Sequence, residues 1–326
     1  MTPETLAAWS LLGVYSACAV YVLAFIVFVL DLAKRSADSA PAAVRPAATT
    51  EAVGSTAVLV EAPPAPPTVA PGGSEGTGRN ARVALALTVV GLVVHVAAII
   101  LRGLAAERVP WANMFEFALT GTGIMVAVFV VANLWKDVRF LGVYVTGLAA
   151  LLLTLATINF YDAVGLVPLP PPLQSAWLVI HVLVAIIGTG FFSLGAGLSL
   201  VQLLQNRREA GKLPRLTFLA TIPSSENLER LAYRVNVIGF MLWTFTLIFG
   251  AIWAERAWGR YWGWDTKEVW TFVIWVVFAG YIHARATRGW RGNRSAILAL
   301  IGFAAVLFNF TVVNLFFSGL HAYSGL

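Results

Sequence analysis

Residues 83–101 read VALALTVVGLVVHVAAIIL, a run without a formal charge whose polar members are Thr88 and one imidazole, His95. At about 1.5 Å per residue, a helix of this length crosses the ~30 Å hydrocarbon core of a bilayer. Comparable apolar segments lie at about 6–30, 83–106, 114–134, 140–158, 176–204, 235–253, 269–284 and 296–317. Gly and Ala are frequent in them, which suits close helix packing in lipid. The pattern predicts an all-α integral membrane protein with about eight transmembrane helices. Composition agrees, with 59% hydrophobic and 12% charged residues and a mean hydropathy of +0.80, outside the range of soluble domains.

The net charge of +6 does not form a nucleic-acid-binding face, because the basic residues are scattered through short loops. On one side of the predicted spans lie 17 of the 22 Lys and Arg; the other side holds Arg102, Arg108, Arg256, Arg260 and Lys267. The positive-inside rule then places both termini and the loop before residue 269 on the outer, extracytoplasmic side.

Residues 36–80 hold seven of the 15 prolines and few aromatics. They predict a disordered, Pro/Ala-rich cytoplasmic linker between an N-terminal anchor (1–35) and a seven-helix core (81–326). The first apolar run has no preceding Lys or Arg and reads as a permanent anchor, not a cleaved signal. The single cysteine, Cys18, leaves no internal disulfide and no Cys-rich zinc site; it reads as a small packing residue.

All four histidines, His95, His181, His283 and His321, fall in or at the end of an apolar segment. There a polar ring needs a partner, either a helix–helix hydrogen bond or a functional ligand. His95 lies 15 residues before Pro110 and His283 13 residues after Trp270, both ~20 Å below the outer surface. His181 follows PLPPP by nine residues and His321 lies just past the last run, so both belong near the outer face. Counted from Arg82 instead, His95 sits higher than His283, and the depth pairing stays open. Facing imidazoles are the usual axial set of a low-spin haem iron. Bare metal ions are the alternative, although no carboxylates accompany either pair.

Residues 258–270 read WGRYWGWDTKEVW. Trp253, Trp270 and Trp275 lie near helix ends and read as interface-belt anchors. Trp258, Trp262 and Trp264 alternate with Gly259 and Gly263. Were the loop helical, Trp258, Tyr261, Trp262 and Asp265 would share one face. Indoles with glycine clearance make a shelf for a flat macrocycle, and Arg256, Arg260 or Lys267 at its rim would meet acidic substituents. A loop that only packs on its neighbours is the plainer alternative.

WGRYWGWDTKEVW resembles the WWD signature of the haem-handling proteins of cytochrome c maturation. PWANMFEF, PLPPPLQSAWLVIHV and GAIWAERAWG upstream, and YIHAR, RGW and GLHAYSG downstream, resemble the segments that flank it, in the same order. The similarity runs over about 82–326 and is closest to the system II branch, the CcsA/ResC type, labelled CcsB in some bacteria. Thr266 stands where many relatives have proline, and Ala322 where serine is common. The first helix and the linker lie outside the resemblance.

The resemblance implies that His181 and His321 ligate haem at an external site and that His95 and His283 hold it deeper in the bilayer. Trp258, Trp262, Trp264 and Asp265 would form the external platform. It further implies haem b as bound ligand and substrate, presented to apocytochrome c for thioether attachment at C-x-x-C-H. The chain would then be the haem-delivering part of a lyase-like holocytochrome c synthase complex in the bacterial cytoplasmic membrane. A ResB-like membrane partner and a thioredoxin-like thiol reductant are implied with it. No Ser–His–Asp set, P-loop or nucleotide fingerprint appears. Two other classes stay open, a transporter of another amphipathic ligand and a haem-containing membrane electron carrier.

Overall fold

The computed structural model describes residues 1–39, 75–166, 169, 171–287 and 289–321. Most of the predicted linker and Ala322 lie outside the described residues. Nine α-helices are described: α1 (Pro3–Asp38), α2 (Glu75–Ala106), α3 (Met114–Trp135), α4 (Gly142–Val164), α5 (Ala176–Glu209), α6 (Ser225–Trp258), α7 (Thr266–Thr287), α8 (Asn293–Phe310) and the short α9 (Val312–Phe316). Among the described residues there is no strand, and eight helices are long and apolar enough to cross a membrane, α8 and α9 counting as one.

Three of the helices that shape the cavity begin where a side chain supplies a partner for a free N–H group. Asn113 accepts from the Glu116 amide at 2.9 Å to start α3, Ser175 from Trp177 at 3.3 Å to start α5, and Ser224 from Asn227 at 3.4 Å to start α6. α6 ends at Gly259, whose left-handed φ of 67° lets its amide reach the Glu255 carbonyl at 2.8 Å. The predicted spans were several residues short at most ends. α5 and α6 overrun them with polar turns, such as Gln205–Glu209 and Ser225–Arg230, which an apolar run cannot reveal.

α5 and α6 form the most extensive pair. α5 also packs on α3 and α8, α3 on α4, and α7 on α8. α1 lies along α2 and α4. The Ser10 hydroxyl donates to the Ala98 carbonyl at 2.8 Å, and Tyr21, fully buried, reaches His95. At one end of the bundle Glu229 accepts from the Arg285 guanidinium at 3.2 Å and the Gly292 amide at 2.8 Å, tying α6 to the α7–α8 connection. At the other end, Glu116 is fully buried and accepts from Arg102 at 3.0 Å and Arg108 at 2.5 Å, while Arg102 also donates to the Gly165 carbonyl at 2.6 Å. Buried charges at this spacing require such pairing. The α6–α7 loop lies at this second end.

Candidate functional site: an indole-lined cavity with two imidazoles

A cavity of about 250 Å³ opens at the end of the bundle that carries the α6–α7 loop. Its wall is mostly apolar, from α3, α5, α6 and α8, with His181, Trp253, Trp262, Lys267 and His321 among its residues. Two of the four histidines therefore share one cavity.

His181 sits in the second turn of α5. Its Nδ1 lies 2.9 Å from the Thr246 carbonyl oxygen of α6. A carbonyl only accepts, so Nδ1 carries the proton and Nε2 keeps its lone pair. The α6 backbone closes on this ring because residue 250 is glycine: a Cβ there would stand 2.8 Å from the imidazole Cε1. His321 follows α9, with Nδ1 3.2 Å from Asp265 Oδ1. Nδ1–H donates again, and Nε2 makes no hydrogen bond among the described residues. An imidazole whose far nitrogen is tethered in this way is the usual form of a metal ligand.

Both rings meet one indole. Trp253 is 1% exposed, with its ring centroid 5.9 Å from His181, nearly parallel, and 5.5 Å from His321, edge-on. The separation of the two imidazoles is thus capped at the total of those distances. Trp258 stands 4.8 Å from His321 and 4.7 Å from Trp253. Trp253 is the residue that sequence reasoning missed: it reads as an interface-belt anchor, but it is buried against both histidines. Its place in GAIWAERAWG, five residues before Trp258, is the available signal.

The α6–α7 loop is not helical between 259 and 265, so the shared face expected for Trp258, Tyr261, Trp262 and Asp265 does not form. Asp265 instead caps α7. Its Oδ1 accepts from the Lys267 amide at 2.9 Å, while Glu268 Oε2 accepts from the Asp265 amide at 3.1 Å and the Gly263 amide at 2.8 Å. This reciprocal Asp–Glu arrangement is a capping box. Thr266 occupies the first helical position, where proline is favoured but other residues serve, so that departure from the signature leaves the helix start intact. Asp265 Oδ2 also accepts from the Leu320 amide at 2.8 Å. Burial pushes the Asp265 carboxyl upward, but hydrogen bonds from His321 and from the Lys267 and Leu320 amides outweigh it and hold the group at about 2. Trp262 lines the cavity. Trp264, at φ 59°, is 75% exposed and is not among the residues that line the cavity.

His95 and His283 stand in different surroundings. His95 is fully buried with both nitrogens engaged: Nε2–H donates to the Leu119 carbonyl at 2.9 Å, and Nδ1 lies 3.2 Å from the Tyr21 hydroxyl, which donates to it. No lone pair is left for a metal. His283 is exposed near the opposite end of α7. α2 packs on α1, α3 and α4, whereas α7 packs on α6, α8 and α9.

Among the described residues no group of three or more His, Cys, Asp or Glu is arranged to hold a metal ion. Two imidazoles alone therefore suit a metal whose remaining ligands come with it, such as a macrocycle.

The family described as Cytochrome C assembly protein matches residues 111–321. A protein of Gloeobacter violaceus called Cytochrome c biogenesis protein CcsA is 33% identical over 305 residues, covering 77% of this chain and 86% of that protein. One of the same name from Prochlorococcus marinus is 40% identical over 177 residues, covering 48% of this chain; the chain spans only 56% of that relative's length. Among solved structures, Cytochrome c Heme Lyase CcmF shares the fold, with a TM-score of 0.63 at 17% identity, over 95% of this chain and 47% of that one.

Proposed function

Because the chain belongs to the cytochrome c assembly protein family, we propose that it serves cytochrome c biogenesis by holding haem between His181 and His321 at the outer face of the membrane. The observation that carries this reading is the shared state of the two rings. Each has Nδ1 tethered to an acceptor, each has an Nε2 with no hydrogen-bond partner among the described residues, and both rings lie against Trp253 on one cavity wall. His95 lacks that state and serves as a helix–helix bond. His283 stays outside this site, on the surface of α7.

The residues present fit a haem substrate: two axial nitrogens, buried indoles and an apolar wall. Bound haem b supplies the vinyl groups that become thioethers with apocytochrome c thiols at C-x-x-C-H. The chain's own task is orientation. Trp253 and Trp258 fix the space beside the imidazoles, and Asp265 fixes the tautomer and direction of His321. His321 lies outside any helix and its one hydrogen bond is to a side chain, so it would be the ligand exchanged for a histidine of the apocytochrome. A ResB-like membrane protein and a thioredoxin-like reductant would complete the system, in the bacterial cytoplasmic membrane with the tryptophan loop outward.

The test is the double substitution His181→Gly with His321→Gly in cells that depend on this chain. Haem-stained gels are expected to show loss of covalent c-type cytochromes, and the purified wild-type protein to show a bis-imidazole absorption spectrum. Unchanged cytochrome levels in the double variant would overturn the reading.

A further inference from the structure

Three cations lie near the tryptophan loop, and the structure separates them. Arg256 is exposed, its guanidinium 5.5 Å from the centre of the Trp177 ring. Arg260 packs its guanidinium on Gly263, where a Cβ would strike it, and it is not on the cavity wall. Lys267 is the one Lys or Arg among the residues that line the cavity.

The surroundings of Lys267 give its ammonium no direct ion pair, although the Asp265 carboxylate acts on its charge from a distance. Its ammonium donates to Asn314 Oδ1, a neutral acceptor whose own amide donates to the Phe310 carbonyl at 2.8 Å and contacts Met114 Sδ at 3.2 Å. The carboxylates on either side in the chain are committed elsewhere. Asp265 serves His321 and two amides, and Glu268 serves the Gly263 and Asp265 amides. No ion pair to Lys267 occurs among the described residues. An ammonium has three donors. It is also unfavourable in the first turn of a helix, where the backbone already presents partial positive charge. A cation in this position, facing an apolar cavity, is stabilised by an anion brought in from outside.

We propose that Lys267 is the carboxylate anchor of the cavity, binding an acidic side group of the porphyrin whose metal the two imidazoles hold. The proposal deepens the reading above and rests on it for the identity of the ligand. The imidazoles fix the centre of the ring and its plane, but leave it free to rotate in that plane. One charge-assisted bond at Lys267 removes that freedom. Protohaem carries its carboxylates on one edge and its vinyls toward the other, so the anchor decides which edge faces the opening. Lys267 is thus a positioning residue.

The experiment uses the full chain in detergent and metal-free protoporphyrin IX, compared with its dimethyl ester, by quenching of indole fluorescence. Without iron the imidazoles play no part, and the ratio of affinities isolates the carboxylates. The wild type is expected to prefer the diacid about tenfold, the scale of one charge-assisted hydrogen bond. Lys267→Gln is expected to bind diacid and ester alike, and Lys267→Arg to retain the preference. Asn314→Ala, which removes the competing acceptor and leaves the ammonium, is expected to raise it. Because each ratio is taken within one protein, differences in partition of the two porphyrins into micelles cancel between variants. A preference that persists in Lys267→Gln, or falls in Asn314→Ala, overturns the proposal; should the Gln variant not fold, the Arg and Asn314 variants decide. Failure of the haem reading itself shows separately, as the lack of a bis-imidazole spectrum when wild type is given haem.

Discussion

At the scale of single residues, what distinguishes the histidines is the second nitrogen of each ring. His181 leans on the Thr246 carbonyl and His321 on Asp265, whereas His95 spends both nitrogens on Tyr21 and Leu119. The four rings stood out in the sequence because an imidazole in an apolar run is costly. Their partners did not, since Thr246 contributes only a backbone oxygen and Asp265 lies 56 residues from His321. Asp265 allows a direct check. Its carboxyl is held near 2, below the ordinary carboxylate range. Its contribution is therefore complete above about pH 4, and is lost only as pH falls through about 2. Between pH 5 and 8 its titration adds nothing, and only substitution exposes its role. Asp265→Asn keeps an acceptor oxygen but removes the charge that makes His321 electron-rich. Haem titration is expected to show about tenfold weaker binding, with a more positive iron midpoint potential. Equal affinity and potential in wild type and variant would leave Asp265 a helix cap and nothing more.

At the scale of elements, the helices were legible because apolar runs of bilayer length have few other uses. The loop was not. DTKE reads equally as a polar linker and as the start of a helix, and the outcome depends on Asp265 and Glu268 closing on each other's amides. That closure stops α7 from extending back into the tryptophans and holds Trp264 at φ 59°. It also turns Asp265 toward Gly319 and Leu320; a Cβ on Gly319 would lie 2.2 Å from Asp265 Oδ2. Glu268→Ala releases two amides in a largely buried place, and loss of such a cap costs about 1–2 kcal/mol. Thermal unfolding in detergent is expected to show a lower midpoint for Glu268→Ala, and a smaller drop for Glu268→Gln, which keeps an acceptor. A midpoint equal to wild type in the Ala variant would mean that the loop holds its shape without the box.

At the scale of the whole molecule, the order of helices along the chain was readable and their arrangement around one another was not. Hydropathy reports depth in the bilayer, a single coordinate, and does not say which helices stand side by side. Lateral neighbours follow from side-chain fit, in which small residues decide what approaches what. Gly91 shows this for α1 and α2: a Cβ there would stand 2.7 Å from the Tyr21 ring, the same ring that holds His95. Since lipid is as apolar as the helix surfaces, the pair is held by such close fit and by the buried Ser10 and Tyr21 bonds, not by hydrophobic burial. The contact is extensive enough that covalent continuity through 40–74 is dispensable. Residues 1–39 and 75–326 co-expressed as separate chains are expected to purify together through a tag on the larger one. Gly91→Leu, which drives a branched side chain into Tyr21, is expected to separate them. Recovery of the larger chain alone without that substitution would show that α1 is held mainly by its tether, and would detach the Tyr21–His95 bond from the architecture of the bundle.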